Sequence, residues 1–216
     1  MISEYFNEIF LIEGKGDSIE KQSEEVKTLV QKLQNKIDTK KGSDYYYFLA
    51  YSGYIFPLVF SEDDTNSFFI KALAIDGENY YAHYYYAFFL FDKKKYKKAY
   101  KELKSINLDF FRNTQDWRRL KIEELGLVCT IILELNKNKD TDIEILKWLN
   151  SYSDWIESSD DFNYPLDLIR CISNEVGQGR FYKQSSIKLV SLMKLLELDD
   201  YYKEEFSTIS SILNAN

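Results

Sequence analysis

Residues 80–106 read YYAHYYYAFFLFDKKKYKKAYKELKSI, and residues 46–72, thirty-four positions earlier, read YYFLAYSGYIFPLVFSEDDTNSFFIKA. Each stretch opens on an aromatic-rich run with one small residue midway, Gly53 in the first and Ala87 in the second. Each continues through a polar break into a second apolar run. Phe69 and Leu103 are also 34 residues apart, as are Ala72 and Ile106 in the partner segments. The period continues more weakly, with Trp117 lying 34 residues after His83 and Leu120 lying 34 after Tyr86. A period of about 34 residues with two apolar segments per unit signals repeated helical hairpins.

Working outward, the apolar spacing is helical and no strand alternation occurs. Val26, Leu29, Val30, Leu33 and Ile37 recur at three- and four-residue steps and predict a helix over 18–39, with Ser18 or Asp17 as its cap. Gly42-Ser43-Asp44 breaks the chain before a helix from Tyr45 towards Pro57. Ser61-Glu62-Asp63-Asp64 caps the next, and Asp76-Gly77-Glu78-Asn79 is a turn. Helices follow over 80–91 and 96–106. Thr114 or Asp116 starts a long helix through Leu135, ended by the polar run 136–140. Helices over 141–157, 166–176, 185–198 and 201–213 complete the chain, with a loop at Ser158-Ser159-Asp160-Asp161.

The expected fold is all-α: antiparallel helix–turn–helix repeats stacked as a short solenoid, with capping helices at both ends. The segment from Tyr80 through Ala87 to Tyr96 and Ala99 resembles a tetratricopeptide repeat. Ala87 stands at the small position where the two helices touch, Tyr96 opens the second helix, and Ala99 is its small packing residue. The preceding Lys71-Ala72-Leu73-Ala74-Ile75-Asp76-Gly77 is similar to the repeat's ending, with Gly77 where the family usually has Pro. The resemblance covers 45–106 and is partial from Trp117, where Lys121 replaces the small residue. It implies one helical domain over 1–216, divided into capping helices (1–43), repeats (44–136) and a C-terminal helical part (137–216).

Stacked hairpins share a continuous core and leave a concave groove. In the register that the resemblance implies, the groove-facing residues are Tyr47, Tyr54, Tyr81, Tyr84 and Phe88, with Gln115, Arg118 and Ile122 from the partial repeat. Eight aromatics fall in 45–60 and eight more in 80–91, more than one helix face can bury. The remainder either line an aromatic groove or are covered by the capping helices. Some tetratricopeptide domains clamp a partner's C-terminal carboxylate. The matching positions here are Ala50, Tyr54, Tyr85, Gln115 and Arg119, of which only the Arg suits that role.

The 216 residues carry 28 Lys and Arg against 35 Asp and Glu, a net charge of -7, which argues against a nucleic-acid partner. The enriched residues, Lys, Asn, Ile, Tyr and Phe, share A/T-rich codons, so a bacterial genome of that bias is expected. Residues 45–61 form the longest uncharged run, 17 residues interrupted by Gly53 and Pro57, too short to span a bilayer. Met1-Ile2-Ser3-Glu4-Tyr5 lacks the positive region that opens a secretory signal. With two Cys in apolar contexts, Cys129 and Cys171, this points to the cytoplasm and to no membrane partner.

Catalytic motifs are sparse. His83 is the only imidazole, and no Asp or Glu lies one helical turn away at 79, 80, 86 or 87, so a packing role is expected. Ser185–Lys188 and Ser191–Lys194 lack the companion motifs of acyl-transfer enzymes. Gly14-Lys15-Gly16-Asp17-Ser18 lacks phosphate-loop spacing, and Asp140-Thr141-Asp142 begins a calcium loop with Ile145 where Gly is needed. No cofactor or metal is expected. The lysines at 93, 94, 95, 97, 98, 101 and 104 read as a solvated convex face.

The sequence therefore predicts a non-catalytic module that binds another polypeptide through an aromatic-lined groove. A bacterial immunity protein neutralising a basic toxin domain is the first reading, and a secretion chaperone or regulatory adaptor the alternative. An enzyme would have to work through carboxylates such as Glu123, Glu124, Asp160 or Asp161. Self-association through the groove is also open.

Overall fold

The computed structural model describes residues 2–36, 41–112, 115–133, 141–158, 164–180 and 182–211. Among these residues every regular element is helical. The chain divides into two compact units, Met1–Ile106 and Asn107–Asn216. The division falls after the second hairpin, so the partial repeat from Trp117 belongs with the C-terminal helices.

The first unit holds α1 (Ile2–Glu13), α2 (Ile19–Lys36), α3 (Ser43–Ile55), α4 (Glu62–Ile75), α5 (Tyr80–Asp92) and α6 (Tyr96–Lys104). Local chemistry sets the boundaries. Ser18 Oγ accepts from the Lys21 amide at 3.4 Å at the start of α2, and Ser61 Oγ accepts from the Asp64 amide at 3.1 Å at the start of α4. Such caps satisfy amides that a helix's first turn leaves unpaired. Lys94, at φ 56°, occupies the left-handed position that ends α5. α6 stops two residues before the predicted Ile106, its end tightened by i to i+3 bonds from the Ser105 and Ile106 amides. α1 is an element to which the periodicity assigned no range.

α3 packs antiparallel on α4, α5 on α6, and the two helical hairpins meet where α4 and α3 lie on α5. Their junction is a polar knot. Asn79 caps α5 by accepting from the Ala82 amide at 3.0 Å, and its Nδ2 donates to Ser43 Oγ at 2.9 Å. Ser43 Oγ in turn donates to the Ala72 carbonyl at 2.9 Å, so three helix ends share one network. Gly53 sits where α3 and α4 touch. A Cβ there would lie 2.2 Å from Thr65 Oγ1, so the close approach requires glycine. Ala87 and Ala99, the small residues of the second hairpin, are fully buried.

The second unit holds α7 (Asp109–Arg112), α8 (Asp116–Ile132), α9 (Thr141–Ser158), α10 (Leu166–Gly177), α11 (Lys183–Leu195) and α12 (Lys203–Ser210). Here α8 packs on α10, α10 on α12, and α9 on α11, as in a two-layered stack. Asp142 of α9 caps α11, accepting from the Gln184 and Ser185 amides at 3.0 and 2.8 Å. Lys121, standing where the repeat has a small residue, reaches Glu124 and Asp167 instead, at 2.8 and 2.9 Å. The predicted positions Ile37, Thr114, Leu135, the break 136–140, the loop residues Ser159 to Asp161 and Leu213 lie outside the described residues.

Candidate partner-binding face

The aromatic runs of α3 and α5 lie side by side, and their rings interlock. Tyr47 stacks on Tyr81, with centroids 6.5 Å apart and planes 18° from parallel. Tyr85 is the hub, with Tyr51 edge-on at 4.8 Å, Tyr84 at 5.0 Å, Tyr47 at 6.1 Å and Tyr54 at 6.5 Å. Tyr54 also meets Phe89 at 6.1 Å, and Phe88 lies 4.8 Å from Tyr84. Edge-to-face and offset contacts of this kind add to the burial energy because ring edges and faces carry opposite partial charge.

α1 covers one end of this row. Phe6 stacks on Tyr47 at 5.1 Å and meets Tyr51 at 6.0 Å, while Phe10 meets Tyr51 edge-on at 5.8 Å. Tyr51 Oη donates to Glu13 Oε2 at 2.9 Å, tying α1 to α3. A capping helix covers the Tyr47 and Tyr51 end, and Tyr54, Tyr81, Tyr85 and Phe88 stay partly exposed.

The candidate residues separate by burial. Tyr47 and Tyr84 are 7% and 5% exposed and belong to the core as they stand. Tyr54, Tyr81 and Phe88 keep part of their surface. Tyr54 Oη donates to Asp92 Oδ2 at 2.8 Å; burial, then the Asp92 charge, pushes its phenol well above the ordinary range. Gln115, Arg118 and Ile122 lie in the second unit. Gln115 precedes α8 as its N-cap residue, Arg118 lies over the Trp117 ring at 4.4 Å, and Ile122 is buried. Two residues were missed. Tyr85 shares a helix face with Tyr81, four residues earlier, and that spacing was the available signal. Phe6 carried none, because nothing periodic links α1 to α3.

His83 has a carboxylate partner after all, from the next helix rather than its own turn. Nδ1 lies 2.8 Å from Glu102 Oε2 on α6, and Nε2 lies 3.0 Å from the Gly77 carbonyl. Both ring nitrogens are therefore occupied. The carboxylates are similarly engaged. Glu123 pairs with Arg119 at 2.9 Å. Glu124, 1% exposed, accepts from Lys121 Nζ and from the Leu168 amide at 3.0 Å. Burial holds its carboxyl above the usual range despite Lys121. Asp160 and Asp161 lie outside the described residues. Arg119, the one residue suited to a carboxylate clamp, is also held by Asp116 at 2.6 Å.

Cys129 and Cys171 are buried free thiols, each pushed up to about 12 by burial first, with the Glu175 charge adding at Cys171. No helix among the described residues is long and apolar enough to cross a membrane. Among the described residues, no group of three or more His, Cys, Asp or Glu is placed to hold a metal ion.

No protein-family model matches the chain, and no curated protein matches it in sequence. Among solved structures it is similar to that of Pseudomonas aeruginosa pilF, at 16% identity and a TM-score of 0.49, over 100% of this chain and 93% of that one.

Proposed function

We propose that this chain is a non-catalytic module that binds another polypeptide through the partly exposed ring row of α3 and α5. The observation that carries the reading is that row itself. Tyr54, Tyr81, Tyr85 and Phe88 are held by interlocked neighbours and keep part of their surface. Rigid aromatic anchors of this kind offer large contact area at low entropic cost. The acidic charge of -7 favours rapid encounter with a basic partner. Our reading of the biological role is an immunity protein of the bacterial cytoplasm that neutralises a toxin domain. A secretion chaperone or adaptor is the second reading, favoured by the row's extension along two adjacent helices, which suits an extended segment.

The test is co-purification from the source organism at moderate and high salt. One stoichiometric, salt-resistant protein whose own toxic activity is suppressed at equimolar ratio is the expected result. A retained partner that is an unfolded or extended secretion client would replace the immunity role with the chaperone role. An empty eluate with a stable monomer overturns the binding module.

A further inference from the structure

A different surface of the first unit combines features that the aromatic face does not use. α4 and α6 both pack on α5, and between them lies an open cleft of about 500 Å³ floored by His83, Tyr86 and Leu90. Its two walls differ in chemistry. α4 supplies Ile70, which is 50% exposed, together with Leu73 and Ala74. α6 supplies Lys98 and Lys101, together with Glu102, whose carboxylate is engaged by His83, and Ser105 follows at its end.

The floor asks nothing of an occupant. Tyr86 Oη donates to Asn66 Oδ1 at 3.0 Å, and both His83 nitrogens are taken by Glu102 and Gly77. The cationic wall is different. Lys93 and Lys95, in the preceding turn, are compensated by Glu62 at 2.8 and 3.7 Å. Among the described residues, neither Lys98 nor Lys101 has a carboxylate within salt-bridge distance. Residues 93–104 hold seven lysines and a single acid, Glu102. With screening over about 8 Å at physiological salt, this local excess governs what approaches the cleft, not the chain's net charge.

The geometry points to a docking site for an acidic amphipathic helix of a partner protein, its apolar side chains against Ile70 and Ala74 and its carboxylates on Lys98 and Lys101. A helix laid between two helices places residues at i, i+3 and i+4 on one seam, so one face can meet the apolar wall while the flank meets the lysines. The exposed half of Ile70 and the uncompensated ammonium pair are then satisfied by one ligand. The site lies on α4 and α6 and does not depend on the aromatic-face reading.

His83, the only histidine in the chain, supplies one imidazole Hε1 resonance as a probe of the cleft floor. The experiment titrates the full chain with a capped helical peptide of about 14 residues, Leu on one face and Glu flanking it. Expected is a saturable shift of the His83 resonance. Affinity falls about tenfold or more in Lys98→Glu with Lys101→Glu, and in Ile70→Ser, with circular dichroism confirming that each variant is folded. The same peptide with Lys in place of Glu leaves the resonance unmoved. A silent His83, equal response to the Lys peptide, or unchanged affinity in the charge-reversed variant overturns the proposal. Because the readout is a cleft residue and a defined peptide, its failure is distinct from a failure of the aromatic face.

Discussion

Tyr47 and Tyr81 are 34 residues apart in the chain and stack ring on ring, 6.5 Å between centroids and 18° from parallel. The repeat period is thus realised as a contact between equivalent positions of successive hairpins. The same period links Gly53 with Ala87, but the two small residues face different constraints. Ala87 is buried with its methyl accommodated, while any Cβ at 53 collides with Thr65 Oγ1 at 2.2 Å and approaches Phe60 Cβ at 3.2 Å.

Gly53→Ala is therefore expected to destabilise the protein by about 1–3 kcal/mol, the usual cost of overpacking, in spite of alanine's better helix propensity. Thermal melting measures it. The double variant Gly53→Ala with Thr65→Ala should cost less than the sum of the two single changes, because the colliding oxygen is gone. Additive losses would mean that the added methyl is resisted by Phe60 and not by the Thr65 hydroxyl.

Asn79→Ala should cost about 1–2 kcal/mol. It removes the α5 cap and the bond to Ser43 that joins the hairpins. Asn79→Asp keeps the oxygen that accepts from Ala82 but loses the Nδ2 donor to Ser43. Denaturant unfolding should place it between wild type and Asn79→Ala. Equal stability of the two variants would assign the whole effect to the Nδ2 contacts with Ser43 and Asp44.

The hairpins were legible because they are local: a small residue at 53 and 87, apolar runs of helical length, and capping residues at 61 and 79. Contacts made by distant segments were not. Phe6 covers Tyr47 from 41 residues away, and the aromatic spacing of α3 is the same whether its face is covered or open. Glu102 reaches His83 across a turn and a second helix, beyond any search of neighbouring positions. Lys121 read as the loss of a small residue, whereas it gains Asp167, 46 positions on.

Lys121→Met should destabilise the second unit by about 3–5 kcal/mol, since it leaves the buried Glu124 carboxylate and Asp167 without their cation. Lys121→Met with Glu124→Gln should recover part of that loss, because a neutral amide keeps an acceptor for the Leu168 amide without a buried charge. Chemical denaturation of the single and double variants gives the coupling. A single-variant loss below about 1 kcal/mol would place the triad in effectively aqueous surroundings.

Stability should be level near neutrality and fall in alkali. Burial raises the phenols of Tyr51, Tyr54 and Tyr152 well above their ordinary range and the thiols of Cys129 and Cys171 to about 12. These groups are protonated in both states below their unfolded values, about 8.5 for Cys and about 10 for Tyr. Above those values the unfolded chain loses protons first, so folding stability declines as pH rises towards the folded values. Melting temperature from pH 7 to 11 should stay level to about pH 8.5 and then drop. Tyr54→Phe should drop less steeply, because one of the raised groups is gone. A flat profile to pH 11 would show that these side chains ionise freely in the folded protein.

Truncations along the aromatic row should divide into two classes. Tyr84→Ala removes a ring that is 5% exposed and packs on Tyr85 and Phe88, so it should cost about 3–5 kcal/mol of stability. Tyr81→Ala with Phe88→Ala removes rings that keep part of their surface, so its melting temperature should fall less than that of Tyr84→Ala. Partner affinity should nevertheless fall about tenfold or more, about 1.4 kcal/mol. Lys97→Glu with Lys101→Glu alters the α6 side and should leave that affinity unchanged. Melting curves and affinities of the three variants decide the matter together. If affinity survives Tyr81→Ala with Phe88→Ala and is lost with the lysine pair, the partner uses the α4–α6 side, and the exposed rings serve only to pack the hairpins.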